Sequence, residues 1–233
     1  MKLFRFSCTL LILALSAQLH AQISIQESKV QLETKVNYLL YLPEEYEATD
    51  RDLPLLLFLH GGGESGNDTA KLSIHGPPKL LKEGREFPFI ILAPQNPYTR
   101  KHWDIHVVIE LLEKIIETNR VDTSRIYLTG LSRGGHGAWT LLMNYPEYFA
   151  AVIPICGAAP TAYHMWIPDI PIWIFHGQDD AVIPPEESLD MYNRLKAEGK
   201  NVRLTIYPDT GHDSWTRTYE NPEIYEWLLK QKR

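Results

Sequence analysis

The chain contains the run Arg125-Ile126-Tyr127-Leu128-Thr129-Gly130-Leu131-Ser132-Arg133-Gly134, which joins a strand-like segment to a helix-like segment at 137–144. Its last five residues form a G-x-S-x-G pattern. A nucleophile elbow has this form, because a sharp strand-to-helix turn lifts the serine hydroxyl above a sheet and the glycines permit so tight a bend. The run therefore predicts an α/β fold with Ser132 as the nucleophile. The alternative interpretation is a glycine-rich turn with a surface serine.

A nucleophilic serine needs a base and a group that orients the base, in the chain order serine, acid, histidine. The buried-strand run 170–175 leads to an acid at its carboxyl end, for which we predict Asp180, with Asp179 as the alternative. The run 202–207 alternates like a strand and leads to His212, the predicted general base. Each residue alone is typical of a turn, a helix cap or a solvated loop. Their joint occurrence in the correct order, each after a strand, favours a catalytic triad.

The oxyanion hole is predicted from a glycine-rich loop. The uninterrupted apolar run 53–59 is typical of a strand buried on both faces, and the loop 60–66 follows it. We assign the hole to the backbone N–H groups of Gly61, Gly62 and Arg133, the residue after the nucleophile, without choosing between the glycines. A phosphate cradle is disfavoured, because the loop has neither the Lys-Ser/Thr of a P-loop nor the G-x-G-x-x-G spacing.

With these motifs the chain resembles small secreted α/β-hydrolase carboxylesterases related to the polyhydroxybutyrate depolymerase and the feruloyl or acetyl xylan esterase group. The resemblance extends over nearly all of the chain that follows the first 21 residues. It rests on Tyr41-Leu42-Pro43, 59–66, Ala93-Pro94-Gln95, 125–132, Tyr145-Pro146, Phe149-Ala150-Ala151, His176-Gly177 with Asp180 and Pro184, and 211–215. It implies a serine esterase, and it favours Asp180 because the acid of such families follows the histidine of the H-G pair by four positions. Methionine is usual where this chain has Arg133, whose guanidinium would suit an anionic or sugar-linked substrate.

Length and composition predict one enzyme domain. The chain has 233 residues, of which 44% are hydrophobic and 22% charged, and no internal repeat. We predict a cleaved signal peptide at 1–21, because Lys2 and Arg5 precede the apolar run 10–15, and a single catalytic domain at 22–233. The mature protein is then exported to the periplasm or the medium. No stable membrane insertion is expected, because a membrane-spanning helix needs about 20 apolar residues.

Charge and cysteine content exclude further classes of protein. Loss of the two basic residues of the signal peptide changes the formal charge from −6 to −8, which excludes a nucleic-acid partner. Cys156 is then the only cysteine, so no intramolecular disulfide is expected and we interpret Cys156 as a small buried hydrophobe. His102, His106 and Glu110 have helical spacing but lack the H-E-x-x-H pattern, so we interpret them as solvated. We predict no metal and no cofactor.

The order of elements predicts a mostly parallel sheet with helices on both faces, the α/β-hydrolase fold. The predicted strands are 23–42 as a pair, 55–59, 89–93, 125–129, 150–155, 172–175 and 202–207. The predicted helices are 105–119, 134–144, 185–198 and 220–230. Asp104 as an N-cap and Gly199 after a helix end support two of these helices.

A short connection predicts an open cleft. About fifteen residues, 156–170, separate two predicted strands where a lid is commonly inserted, and these are too few for a folded cap. An open cleft suits a bulky ester, such as an acyl group on a polysaccharide, better than a buried fatty chain, and the expected partner is a small-molecule or polysaccharide-linked ester. We predict that Gln95, Trp103 and Trp215 contact the substrate, with ordinary packing as the alternative for the rings. A serine peptidase of the prolyl-oligopeptidase-like type and a non-catalytic carbohydrate-binding homologue are the competing functions.

Overall fold

The computed structural model describes residues 34–233, so the predicted signal peptide and the predicted strand residues 23–33 lie outside the described residues. Seven strands in this part form one sheet: β1 Tyr38–Tyr41, β2 Leu53–Leu59, β3 Ile90–Pro94, β4 Val121–Leu131, β5 Ala151–Ile155, β6 Ile172–Gly177 and β7 Val202–Tyr207. Their spatial order is β1-β3-β2-β4-β5-β6-β7. Only β1 runs antiparallel to its neighbour, so the mostly parallel sheet is confirmed.

Helices connect the strands. In the described residues they are α1 Glu45–Ala48, α2 Gly76–Lys82, α3 Ile105–Thr118, α4 Arg133–Asn144, α5 Glu186–Ala197, α6 Trp215–Glu220 and α7 Pro222–Leu229. Three 3₁₀ turns occupy Thr69–Ser73, Pro146–Tyr148 and Thr161–Trp166. None of the helices within residues 34–233 has both the length and the apolar character that a membrane span requires.

The sheet is buried on both faces, which explains the continuous apolar run of β2. Leu55, Leu57 and Leu59 pack into a core that includes residues of α3, α4 and α5. Leu56 and Phe58 point the other way, into a core with residues of α2, α6 and α7. Complete burial of one such side chain contributes about 1.5–3 kcal/mol, so a polar residue anywhere along β2 would be costly. The two cores fix the sheet whose carboxyl edge carries the site.

Two helical regions differ from the sequence prediction for identifiable reasons. The predicted helix 220–230 is α7, which begins at Pro222 because Asn221 caps it by accepting from the Glu223 N–H at 3.0 Å, and the separate helix α6 before it was not predicted. Helix α2 was not predicted. Its prolines, Pro77 and Pro78, suggest a loop, but they occupy the first turn, where the missing N–H groups have no intrahelical partner in any case.

The connection between β5 and β6 is short, as its length predicts. Its only regular element in the described chain is the 3₁₀ turn Thr161–Trp166, on which Tyr163, Met165 and Trp166 are exposed. No folded lid therefore intervenes between these two strands.

Candidate active site

Ser132 occupies the turn between β4 and α4 in a strained backbone conformation. Its φ of 53° and ψ of −116° are unusual for a residue with a Cβ, and such conformations cost about 1–3 kcal/mol. The flanking glycines are required by close packing. A Cβ on Gly134 would lie 2.0 Å from the Leu59 carbonyl oxygen, and one on Gly130 would lie 2.3 Å from the Gly134 carbonyl oxygen. The G-x-S-x-G pattern thus folds into the elbow that it predicts.

The three residues of the predicted triad lie in one hydrogen-bonded line. His212 Nε2 is 2.9 Å from Ser132 Oγ, and His212 Nδ1 is 2.7 Å from Asp180 Oδ2. Because a carboxylate only accepts, Nδ1 carries the proton and Nε2 is free to accept the serine proton. Ser132 follows β4, Asp180 follows β6 and His212 follows β7, so the carboxyl ends of three parallel strands, with β5 between the first two, bring the triad together.

The Asp180 carboxylate is held in an ionised and fixed state. Its side chain is buried, with a residue exposure of 5%. Oδ1 accepts from the backbone N–H groups of Val182 at 2.9 Å and Ile183 at 3.0 Å. Burial alone would raise the pKa of Asp180, but the hydrogen bonds from His212 and from these two N–H groups bring its pKa below the usual value. Asp179, the alternative acid, is exposed, and its side chain makes no hydrogen bond within residues 34–233.

A second histidine, His176, also contacts the Asp180 carboxylate, a role that sequence reasoning missed. Its Nε2 lies 3.1 Å from Asp180 Oδ2 and 2.9 Å from the Ile183 carbonyl oxygen. Both neighbours are acceptors, so Nε2–H donates, while Nδ1 accepts from the Ser188 hydroxyl at 2.7 Å. Asp180 Oδ2 therefore receives hydrogen bonds from two imidazoles. The sequence signal was the H-G pair, whose histidine precedes Asp180 by four positions.

The loop after β2 is held against the elbow by a buried neutral histidine. His60 Nδ1 donates to the Gly61 carbonyl oxygen at 2.7 Å, and His60 Nε2 accepts from the Asn96 N–H at 3.0 Å. Burial lowers the pKa of His60 to about 4, with the Arg133 charge acting in the same direction and the bond to Gly61 opposing it. The ring stays neutral near pH 7 and fixes the loop geometry through both nitrogens.

Gly61 and Gly62, the predicted oxyanion-hole glycines, lie on the loop that packs against the elbow. A Cβ on Gly61 would lie 2.7 Å from Leu131 Cδ1, and one on Gly62 would lie 3.0 Å from Arg133 Nη2. The loop thus packs directly on the two residues that flank the nucleophile. Larger residues at these positions would push the loop away from it.

Of the three predicted substrate contacts, two side chains lie beneath the loop and not on the cleft. Gln95 is 1% exposed, and its Nε2 donates to the carbonyl oxygens of Glu64 at 3.0 Å and Asp68 at 2.7 Å. Trp103 is 8% exposed, and its Nε1 donates to the His60 carbonyl oxygen at 3.3 Å. These positions correct the prediction for both residues, because a sequence does not show to which side of a strand end a side chain turns.

Trp215 lies at the triad. Its half-buried ring meets the His212 ring edge-on, with centroids 5.2 Å apart and an interplanar angle of 88°, and it also contacts His75 at 5.4 Å. This contact restricts the rotation of the His212 imidazole and leaves part of the indole beside the cleft.

Cys156 lies near two triad residues, but its environment is unsuited to a metal. Ligand atoms of Cys156, Asp180 and His212 fall within 4.8 Å of one another. The cysteine is fully buried, as interpreted from sequence, and burial raises the pKa of its thiol to about 12. Metal ligation needs the thiolate, and the other two groups already bond to each other. His102 and His106, considered above as a pair, have separate partners in His136 and Tyr145.

Glu64 is a buried acid in the loop after β2. Burial raises its pKa, against smaller opposing effects of His75 and of the backbone N–H groups of Glu64 and Gly61. The folded protein therefore binds this proton more tightly than the unfolded chain does. The resulting stabilisation is complete below the unfolded pKa of about 4.3 and is lost as pH rises through the raised folded value.

Replacement of Glu64 by glutamine is expected to stabilise the protein more at pH 8 than at pH 4, because the amide avoids burial of a charge. Urea unfolding at several pH values would measure this, with the exposed Glu86→Gln as the control for loss of one negative charge. An equal difference at all pH values, or a larger one at pH 4, would contradict this interpretation.

Comparison with known proteins agrees with this geometry. A family model described as Phospholipase/Carboxylesterase matches residues 85–227. Acetylxylan esterase A of Emericella nidulans is 23% identical over 96% of this chain and 75% of its own length. The acylamino-acid-releasing enzyme of Rattus norvegicus is 24% identical over 69% of this chain, which spans only 28% of that enzyme. The crystal structure of a thermostable esterase superposes with a TM-score of 0.75 and 36% identity, over 85% of this chain and 59% of that one.

Proposed function

The chain belongs to the phospholipase/carboxylesterase family, with an α/β-hydrolase fold, and on this premise we propose that Ser132, His212 and Asp180 are the catalytic triad of a serine esterase. The observation that carries the proposal is the continuous line of hydrogen bonds from Ser132 Oγ through His212 to Asp180. A glycine loop packs on the residues that flank Ser132, and its backbone N–H groups are the proposed donors to the oxyanion. This set of groups performs acyl transfer to a serine.

In the first half-reaction, Ser132 Oγ attacks the carbonyl carbon of the ester while His212 Nε2 takes the serine proton. The carbonyl oxygen becomes an oxyanion, which the N–H groups of Arg133 and of Gly61 or Gly62 stabilise. The bond to the leaving alcohol then breaks, and His212 returns the proton to the alcohol oxygen. Asp180 holds the imidazole in the required tautomer and stabilises the imidazolium that forms.

In the second half-reaction, water takes the place of the alcohol. His212 accepts a proton from water as the water oxygen attacks the acyl carbon, and it gives the proton back to Ser132 Oγ when the acyl-enzyme bond breaks. The free acid leaves and the starting state returns. No further group is needed for this cycle.

The proposed substrates are acyl or feruloyl esters of plant polysaccharides, or related small esters. Support comes from the relative described as acetylxylan esterase A and from the absence of a folded lid between β5 and β6 in the described chain, which leaves room for a bulky alcohol. Export through the predicted signal peptide would bring the enzyme to such polymers.

A serine peptidase is the second candidate, because an acylamino-acid-releasing enzyme is also a relative. This chain spans about a quarter of that enzyme, so the likeness concerns the catalytic fold. The non-catalytic alternative would require a vestigial triad, whereas the distances from Ser132 to His212 and on to Asp180 are those of a working hydrogen-bond relay.

The mature protein is expected to hydrolyse p-nitrophenyl acetate and to leave an acyl-peptide p-nitroanilide essentially intact. Ser132→Ala serves as the blank for both assays. Serine-dependent ester cleavage alone would justify a screen of acetylated and feruloylated sugars. Cleavage of the anilide at a comparable rate would favour the peptidase, and failure on both substrates would count against catalysis.

A further inference from the structure

The residue after the nucleophile, Arg133, carries a charge that no carboxylate within residues 34–233 pairs with. Within residues 34–233, none of the ion pairs involves Arg133. Arg133 interacts with the buried acid Glu64 and lowers the pKa of that carboxyl, but burial outweighs this effect, raises the pKa and favours the neutral form. The chain as a whole has a formal charge of −6, so a free cation beside the nucleophile is an exception to its overall electrostatics.

The guanidinium of Arg133 is held rigidly by uncharged acceptors. Its Nη1 donates to Ser65 Oγ at 3.2 Å and to the Thr99 carbonyl oxygen at 3.0 Å. The group lies against Gly62, where a Cβ would come within 3.0 Å of Nη2 and 3.5 Å of Nε. Glycine at this position therefore leaves space for the guanidinium, and the side chain loses little further freedom when it binds a ligand.

Two nitrogens of this guanidinium remain available. Nη1 has two hydrogens and uses both, whereas Nε and Nη2 have no partner in the described chain and are not among its buried unpaired polar atoms. These donors are therefore not completely buried, and Arg133 as a whole is half-buried. Nε–H and one Nη2–H form the edge of an arginine that binds a carboxylate through two parallel hydrogen bonds.

The direction in which Arg133 extends from the elbow determines the side of the cleft on which it would meet the substrate. Arg133 reaches the loops that follow β2 and β3, while His212 approaches Ser132 from the β7 side. The Thr99 loop also carries exposed Arg100 and Lys101. Arg133 thus extends from the elbow towards the β2 and β3 loops, whereas the proton-transfer group His212 reaches Ser132 from the loop after β7.

We propose that Arg133 determines specificity by binding a carboxylate on the substrate, so that this enzyme prefers anionic esters to neutral esters of the same size. The inference rests on the proposed esterase function and names its substrate class. The carboxylate is carried by the acyl chain, as in a half-ester of a dicarboxylic acid, or by the alcohol, as in an acylated uronic acid. The recognition chemistry is the same for both.

Two matched pairs of substrates test the proposal. Mono-p-nitrophenyl glutarate and p-nitrophenyl valerate differ by a carboxylate on the acyl side, and 4-acetoxybenzoate and 4-acetoxybenzamide differ by one on the alcohol side. For each pair the ratio of kcat/KM, anionic over neutral, is measured in the native enzyme and in Arg133→Met. The ratio of at least one pair is expected to fall about tenfold in the variant, as for loss of a charge-assisted hydrogen-bond pair.

Control variants separate this role from a structural one. Arg51→Met removes one positive charge from the exposed loop before β2, at the other end of that strand, and is expected to leave both ratios unchanged. Arg133→Lys keeps the charge without the planar fork and should give an intermediate ratio. If Arg133→Met does not fold, added salt in the native enzyme serves instead, because screening should lower the ratio.

The proposal is overturned if neither ratio changes in Arg133→Met, or if anionic and neutral esters lose activity equally, since Arg133 would then act only as a loop clamp. Failure of the esterase function gives a different result. If no ester is hydrolysed, calorimetry of Ser132→Ala with monomethyl glutarate measures binding alone. If the double variant Ser132→Ala/Arg133→Met binds monomethyl glutarate more weakly than Ser132→Ala does, the anion site is supported without esterase activity. If the two variants bind it equally, the proposal is overturned.

Discussion

Replacement of Ser132 by alanine is expected to lower kcat for p-nitrophenyl acetate by at least about 10⁴-fold, with the fold intact. Alanine has no nucleophile, so no acyl-enzyme can form, and His212 Nε2 loses the hydroxyl that it contacts at 2.9 Å. The oxyanion N–H groups and the binding surface remain, and they account for a small residual rate. Steady-state kinetics and the stoichiometry of the p-nitrophenol burst would measure the effect.

A matched control lies on the same strand. Ser124→Ala removes a hydroxyl near the start of β4, at the opposite end from the elbow, where its Oγ donates to Asp122 and bonds to no other group within residues 34–233. It is expected to keep kcat within about twofold of the native value, as surface substitutions away from a site commonly do. A burst of one equivalent in Ser132→Ala would remove Ser132 from the mechanism.

The same position offers a test of backbone strain. Alanine retains the Cβ and hence the unfavourable φ of 53°, whereas Ser132→Gly relieves it. Relief of such strain is worth about 1 kcal/mol or more, less the entropy that glycine gains on unfolding. A urea midpoint for Ser132→Gly at or above that of Ser132→Ala would agree with strain stored at the nucleophile.

Local signals in the sequence were sufficient for the sheet and for the triad geometry. The apolar run of β2 is buried on both faces, and the elbow residues Gly130 and Gly134 are glycines because backbone atoms approach within 2.0–2.3 Å of where a Cβ would stand. These requirements leave a local pattern, G-x-S-x-G, although the backbone that Gly134 meets belongs to Leu59 at the end of β2. The order of serine, acid and histidine could also be predicted from the sequence, because each follows a segment with a strand pattern.

The hydrogen bonds that support the triad and the loop after β2 could not be predicted from the sequence, because they depend on the direction in which each side chain turns at a strand end. Gln95 and Trp103 follow strands as substrate-contacting residues often do, yet both turn inward to bond the loop after β2. The contact of His176 with the Asp180 carboxylate likewise depends on the turn between β6 and α5. Which nitrogens of Arg133 stay unpaired likewise depends on the folded positions of its Nη1 partners, Ser65 and Thr99.

Replacement of Asp180 by asparagine is expected to lower kcat by about 10³–10⁴-fold, because the amide cannot satisfy the donors around it. Oδ1 receives two backbone N–H groups, from Val182 and Ile183, so the amide oxygen would take that side. The NH₂ group would then face His212 Nδ1 and the Nε2–H of His176, both of which now donate to Oδ2. His212 would relieve the conflict by moving its proton to Nε2, which leaves no acceptor for the serine proton.

The neighbouring aspartate provides the matched comparison, since Asp179→Asn makes the same chemical change one residue earlier. Its side chain is exposed and bonds to nothing in the described chain, so kcat should stay within about twofold of the native value. Kinetics on p-nitrophenyl acetate for both variants, with thermal unfolding to confirm the fold, would measure the contrast. A large loss in Asp179→Asn with a small one in Asp180→Asn would make Asp179 the acid. Comparable small losses in both would mean that His212 keeps its tautomer without a carboxylate, through the edge contact with Trp215 and the packing of its loop.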